Sequence, residues 1–339
     1  MTRVDPLGAR FRLGDRGGHY ESWFIRGNHP SQPRAFWIRY TVTSPKGRPE
    51  DAVAELFAVV FDGTTHRHVA VRETHPLREA MFPTAGLDVR IGTATLTPDR
   101  LVGQARRPGP HRIGWDLHVH GGGEPLLLLP EALYRGGFPK AKALVMRPNA
   151  SFSGALEIES GMGSVVTRLP VDGWIGSTNH NWGSKHTDHY VWGQVDGFDD
   201  APDSHLEVAT ARIKVAGFMT PAMTPIVLRH KGREHRLNAL HTVFGRATLT
   251  ALDWRFHAKQ AGVSLEGRIT AHPDDFVVFA YIDPPGGAKT CVNSKIGRCE
   301  LTVTVDGRSE RLVSTSRAAM EVLVEDPRQS GLPNIPVPL

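Results

Sequence analysis

Short runs in which apolar and polar residues alternate, each stopped by glycine or proline, recur along the whole of this chain. The 35 glycines and 25 prolines of the 339 residues supply the stops. Residues two apart share a face of an extended strand, so this period asks for strands packed on one side, not helices. Phe36, Ile38, Tyr40 and Val42 share one face of such a run, and Trp37, Arg39 and Thr41 the other. Residues 20–26 form a strand before it, turned back through Gly27-Asn28-His29-Pro30, which predicts a hairpin. Residues 52–61, stopped by Asp62-Gly63, and residues 111–120 continue the pattern, the latter with Ile113, Trp115, Leu117 and Val119 set against His118 and His120. The second half repeats it at 190–195, 205–215, 250–258, 262–271, 276–282 and 298–305. Residues 317–325 carry apolar groups at helical spacing and read as a helix. Residues 77–81 read as one helical turn and 126–139 as room for a short one. Many short strands at regular spacing imply antiparallel sandwiches or barrels, and a barrel encloses space for a small apolar ligand.

Several function classes lose their support. There is no GxGxxG after a strand, no P-loop and no GxSxG elbow. The net charge of +5 is spread thinly, with only short basic clusters such as Arg106-Arg107, so a solvated surface is a simpler reading than nucleic-acid binding. The first residues hold no apolar segment of a signal peptide, and no apolar run is long enough to span a bilayer. The expectation is a cytoplasmic protein without stable membrane insertion. Cys291 and Cys299 fit a reducing compartment, though they are near enough in sequence to meet across a hairpin.

Residues 176–194, GSTNHNWGSKHTDHYVWGQ, are of another kind. Proton-carrying groups sit beside large aromatic faces, and Gly176, Gly183 and Gly193 are expected to break the segment into turns. Apolar walls with a few convergent polar groups describe a ligand pocket. His180 is the candidate proton donor or carbonyl polariser; its bland alternative is to brace its own loop. Asn179 and Asn181 are candidates for orienting a substrate oxygen, or for turn chemistry. Trp182 and Trp192 are candidate walls, or core packing. Tyr190 and Gln194 are pocket donors, or ordinary strand residues. His186, Asp188 and His189 are badly spaced for a metal on a strand, whereas His118 and His120 share a face near Glu124 and make the better metal candidate. No metal is expected. His66 and His68 read as solvent-facing. Glu21, between Tyr20 and Ser22 and close to Trp23, and Asp116, beside Trp115, are carboxylates whose aromatic surroundings would raise their pKa and suit a general acid. An outward position or an Arg partner is the simpler reading for both.

The residues Asn179-His180-Asn181-Trp182-Gly183 and Tyr190-Val191-Trp192-Gly193-Gln194, the opening GHYESWFIRGNHPSQPRAFWIRYTV and the later CVNSKIGRCEL together resemble the superfamily of carotenoid 1,2-hydratase (hydroxyneurosporene synthase), tocopherol cyclase and fungal Diels-Alderases. The resemblance implies an all-β fold of two tandem lipocalin-like (calycin-type) antiparallel β-barrel or sandwich domains, with a ligand cavity near their junction. It also implies chemistry on polyene or isoprenoid substrates with no organic cofactor. In that family an acidic residue precedes the His-Asn pair; here the position is Asn179, and an amide cannot supply a proton as a carboxylic acid can.

These readings divide the chain into residues 1–170, residues 171–326 and a Pro-rich tail at 327–339. The function expected is cofactor-independent hydration, cyclisation or isomerisation of a hydrophobic isoprenoid, steroid-like or polyketide substrate. His180, Asn181 and Glu21 are the catalytic candidates. Asn179, Trp182, Tyr190, Trp192 and Gln194 are the substrate-binding ones. The alternative is a carrier or sensor that binds a lipophilic molecule and leaves it unchanged. Loss of His180 is expected to abolish turnover and spare the fold.

Overall fold

A computed structural model describes residues 4–161, 165–250 and 252–324. Among them there is no α-helix, only four short 3₁₀ turns, so none is long and apolar enough to cross a membrane. The antiparallel all-β class read from the alternation is what the chain adopts.

The first sheet is built from β1 (His19–Asn28), β2 (Arg34–Ser44), β3 (Val53–Asp62), β4 (Val69–Pro76), β5 (Ala80–Met81), β6 (Val89–Ile91), β7 (Ala94–Leu96), β8 (Arg100–Arg107), β9 (His111–Gly121), β10 (Leu126–Leu127), β11 (Ala141–Ser160) and β12 (Val166–Gly183). Its order is β4-β3-β2-β1-β12-β11-β9-β8-β7-β6-β5, with β10 added to β11. It curls until β4 packs on β8 and β9, which nearly closes a barrel. The second sheet uses β13 (His189–Phe198), β14 (Ala201–Arg212), β17 (Ile226–His230), β18 (Arg233–Leu237), β19 (Ala247–Thr250), β20 (Asp253–Gln260), β21 (Val263–Thr270), β22 (Val277–Ile282), β23 (Ala288–Val305) and β24 (Arg308–Val324). Its order is β18-β17-β14-β13-β24-β23-β21-β20-β19, with β22 added to β23. A small ribbon pairs β15 (Lys214–Val215) with β16 (Phe218–Met219). The chain leaves the first sheet at Gly183 and joins the second at His189; residue 170 lies inside β12.

The hairpin of β1 and β2 forms in the register His19↔Ser44 to Asn28↔Ala35. Phe36, Ile38 and Tyr40 point into the first barrel with Trp23 and Ile25. The opposite face is not solvated. Ala35, Trp37, Phe57 and Phe61 pack against Phe279, Tyr281, Cys291 and Ile296 of the second sheet. A second interior, with Val195, Leu206, Trp254, Phe256 and Met320, fills the other sheet. Strands β1 and β2 and residues 176–183 of β12 are therefore buried on both faces, unlike the usual antiparallel strand with one wet side.

Polar groups caught between the sheets are matched across it. The Arg26 side chain is fully buried: Nη1 donates to the Gln194 carbonyl oxygen at 3.0 Å, and Nη2 donates to the Arg317 carbonyl oxygen at 2.7 Å. Asp196 lies 3.6 Å away. The Asn28 side chain donates to the Lys295 carbonyl oxygen at 2.7 Å.

Several expectations are corrected. Residues 317–324 are not a helix but the end of β24, between β13 and β23. Ala318, Ala319 and Met320 are all buried there, because a central strand between two packed layers needs no alternation. Cys291 and Cys299 lie on the same strand, β23, and are free and buried, so they do not meet across a hairpin. Gly176 and Gly193 are strand residues, not turns. A Cβ on Gly176 would stand 1.9 Å from the Arg26 carbonyl oxygen, and one on Gly193 2.6 Å from the Ile269 side chain, so glycine there permits close approach. His66 is exposed, as read, and also bonds Asp275 at 2.8 Å, whereas the His68 side chain is buried and meets the Asp274 carbonyl oxygen at 2.9 Å. The tail at 327–339 lies outside the described residues.

Replacing Arg26 by Ala is expected to cost about 3–5 kcal/mol in urea unfolding, because it strips a buried carboxylate of its cation. A loss under about 1 kcal/mol would mean the sheets do not depend on this residue.

Candidate active site between the sheets

A cavity of about 250 Å³ lies between the two sheets. Tyr20, Phe24, Trp37 and Arg39 of the first hairpin line it, as do Asn179 and Asn181 of β12, Tyr190 and Trp192 of β13, Glu207 of β14 and Glu321 of β24. Leu128, Leu133, Met223, Leu240 and Val243 supply apolar wall.

Strand parity decides which members of the 176–194 segment reach it. On β12, Asn179 and Asn181 face the cavity, and Ser22 Oγ donates to Asn181 Oδ1. His180 and Trp182 face the other way, into the first barrel. The His180 ring stacks on Trp23 with 4.7 Å between centroids and lies 4.9 Å from Trp182. Trp182 stands under the Arg10 guanidinium, 4.3 Å from its ring centre, at the barrel's mouth. Gln194 is buried behind the cavity wall.

Glu21 also faces the barrel, fully buried and not outward as simple alternation suggests. Its carboxylate accepts from His180 Nε2 at 2.7 Å, His19 Nε2 at 3.0 Å, the Arg10 amide at 2.9 Å and the Phe11 amide at 2.7 Å. Burial alone would raise its pKa, but hydrogen bonds from His180 and His19, with their charge, overcome that and hold it at about 2. His180 Nδ1 meets the Pro6 carbonyl oxygen at 3.0 Å. Burial pushes the His180 ring down and the bond to Glu21 pulls it back up. A carbonyl only accepts, so the pair shares one proton across its short bond. Glu21 and His180 thus tie the segment around Pro6, Arg10 and Phe11 to the barrel. Asp116 is exposed and bonded to Arg100, its two oxygens each at 3.0 Å.

The acid in the cavity is Glu207. Its Oε1 accepts from Trp192 Nε1 at 2.7 Å and its Oε2 from Gln194 Nε2 at 2.9 Å. Burial raises its pKa most strongly, and the His205 charge and the two hydrogen bonds recover only part, which leaves it at about 7. Gln194 Nε2 also donates to Asn179 Oδ1 at 2.8 Å, and its Oε1 accepts from Ser177 Oγ at 2.7 Å. Asn179 is thereby joined, through one amide, to an acid from the opposite sheet. Behind Glu207, His205 Nδ1 bonds Asp196 Oδ1 at 2.8 Å, and its Nε2 stands 3.8 Å from Glu207 Oε2.

Other polar groups crowd the cavity. The Tyr190 hydroxyl donates to Glu321, whose other oxygen accepts from Asn293 Nδ2 at 2.7 Å. The Lys295 ammonium, buried 5.1 Å from the Trp192 ring, is pushed down to about 7, mainly by burial. The His186 ring stacks on Tyr20 at 3.9 Å. Burial and then the Arg39 charge push it down to about 3, so it is neutral. Among the described residues no three His, Cys, Asp or Glu side chains gather as a metal site. His118 and His120 stack with each other, 6.1 Å apart, on the first barrel's surface, and His120 Nε2 meets Ser153 Oγ at 2.9 Å.

No protein-family model matches the chain, and no curated protein matches it in sequence. Solved structures do match in fold. A protein assigned as AttH from Nitrosomonas europaea aligns over 96% of this chain and 99% of its own, at 15% identity and a TM-score of 0.58. CghA with Sch210972 aligns over 94% and 95%, at 14% identity and a TM-score of 0.60. Kievitone hydratase from Nectria haematococca aligns over 91% and 89%, at 12% identity and a TM-score of 0.51. The likeness spans both sheets of this chain, so their pairing is a shared architecture.

Glu207, Arg39, Lys295 and Glu321 escaped the sequence as site residues, and His186 reads there only as a badly spaced metal candidate. A lone acid in HLEVATA, flanked by apolar residues, gives no sign of which face will be dry. Arg39 did carry a signal: its neighbours on that face, Trp37 and Thr41, do not make a solvated stripe.

Two outcomes follow. His180→Ala is expected to lower stability by about 2–4 kcal/mol in urea, since it removes a donor and a stacked ring from a buried carboxylate. An unchanged midpoint would leave His180 no role in the fold. For Glu207, a raised folded pKa means that stability is held while the proton is held and lost as pH rises. The contribution of Glu207 to the unfolding free energy should therefore fall by about 3 kcal/mol from pH ~4.5 to pH ~7, against an opposing gain from His186, whose lowered pKa favours the fold as pH rises. Relative to Glu207→Gln, the wild type should lose about that much stability over this range. The same slope in the variant would place the titration elsewhere.

Proposed function

We propose that this chain is an enzyme that works without an organic cofactor on a hydrophobic isoprenoid, steroid-like or polyketide substrate held between its sheets. The reaction is hydration, cyclisation or isomerisation. The observation that carries the reading is Glu207, a carboxyl lining a largely apolar cavity, with a pKa near neutrality and both oxygens fixed by Trp192 and Gln194. Such a group holds a proton at physiological pH and can release it, which is what a general acid needs. The Glu207 O–H bond breaks as a C–H bond forms at one end of a substrate double bond. The other end becomes cationic. The Trp192 indole, on the cavity wall, favours such a charge. Water or a second double bond then adds to that carbon, and the proton it sheds returns to Glu207. For isomerisation the returning proton comes from a neighbouring carbon.

Asn179 and Asn181 are the amides that orient a substrate oxygen, and Tyr190 and Trp192 shape the wall. His205, backed by Asp196, stands where it helps Glu207 regain its proton. His180 and Glu21 take no part in this chemistry; their place is the barrel's mouth. Kievitone hydratase, by its name a hydratase, shares the fold, which supports the reaction class.

The test is a panel of prenyl and polyketide alkenes offered to the wild type and to Glu207→Gln. Gln keeps the shape and one hydrogen-bonding oxygen but has no acidic proton. Turnover should drop by about 10²–10⁴ in the variant and, in the wild type, fall as pH rises through about 7. Full turnover by Glu207→Gln would overturn the assignment. Native mass spectrometry of the purified protein that showed a bound lipophile, released unchanged and never converted, would favour the carrier instead.

A further inference from the structure

We propose that the cavity is built for an acidic lipophile, a carboxylate on an apolar body, whose charge is held by Arg39. The inference rests on the cavity being the binding site and adds the chemical class of what it takes.

Arg39 is 4% exposed and lines the cavity from β2. Its Nε donates to Thr41 Oγ1 at 3.0 Å. Its guanidinium lies over the Tyr281 ring at 4.3 Å and near Phe57 at 5.9 Å. Among the described residues no carboxylate stands within ion-pair distance of it, and besides Thr41 its side-chain hydrogen-bond contact is with the Tyr281 hydroxyl. The other interface arginines are treated differently. Arg26 faces Asp196, Arg72 faces Glu55, and Arg317 bonds Asp199 at 2.9 Å.

The nearby acids are already engaged. Glu321 is taken by Tyr190 and Asn293, Glu55 by Arg72, and Asp283 accepts from the His186 amide at 2.8 Å. Aromatic faces offset part of the penalty of burying a guanidinium, but they and the two hydroxyls leave several of its five N–H donors without a carboxylate or carbonyl. Those donors form the planar fork that matches a carboxylate. The neighbouring Tyr20 and the His186 ring carry no charge that would compete. The leucine-rich wall elsewhere, Leu128, Leu133 and Leu240 with Met223, suits the apolar body.

Dodecanoic acid and its methyl ester, of equal chain length, separate the two contributions. Each would displace the neutral fluorophore N-phenyl-1-naphthylamine from the full-length protein at pH 7.5. The wild type should bind the acid at least ten-fold more tightly than the ester. Arg39→Gln should lose that preference and hold the ester within two-fold of wild type, which also shows that the variant is folded. Arg39→Lys should keep part of the preference. Equal binding of acid and ester by the wild type would overturn the anion site and leave the cavity reading standing. A preference that survives in Arg39→Gln would assign the charge to another cation and overturn it too. If neither the fluorophore nor either ligand binds, the cavity reading falls and this inference with it.

Discussion

Strands β1 and β2 and the last eight residues of β12 have no wet side, and the rest of the site follows from that. An antiparallel strand normally sends alternate side chains to core and water. Here the second face is pressed against another sheet, so the same alternation sorts residues between two dry compartments. One is the interior of the first barrel, filled by Trp23, Phe36 and Tyr40. The other is the seam, where Trp37 meets Phe279 and Arg26 reaches the backbone of β13 and β24. Polar residues that a solvated face would tolerate anywhere must each find a partner in such a seam, or be kept for a ligand.

The seam shows three treatments of charge. Arg26 is answered by two carbonyls, the Gln194 and Asn28 side chains and Asp196, and it fastens the sheets. Glu207 is half-satisfied: two donors hold it in place, yet burial keeps its proton available near neutral pH. Arg39 is left open toward the cavity. The difference lies in how many protein groups answer each charge, not in depth, since all three are buried.

Much of the fold was legible in the sequence because period two is a direct consequence of strand geometry. The faces of 36–42, the buried Ile113, Trp115, Leu117 and Val119, and the turn after Phe61 all stand as the pattern has them. The pattern misled where a strand is buried on both sides. The continuous apolar stretch at 318–320 looks helical because nothing in it marks an outer face. The site was half legible for the same reason. The 176–194 segment does border the cavity, but the sequence could not say which of Asn179 or His180 looks into it, since that depends on which face of β12 the second sheet covers. Arg39 comes from a strand far away in the chain and Glu207 from the strand that follows and pairs with β13, and only the packing of the two sheets brings them together.

The alternation along Asn179-His180-Asn181-Trp182 makes neighbouring letters answer to different demands. His180 and Trp182 serve the barrel; Asn179 and Asn181 border the ligand's space. The cavity can therefore be re-lined at 179 and 181 without disturbing the stacked rings one position away. A segment wired in this way lets a single scaffold change what it holds while its own architecture stays put.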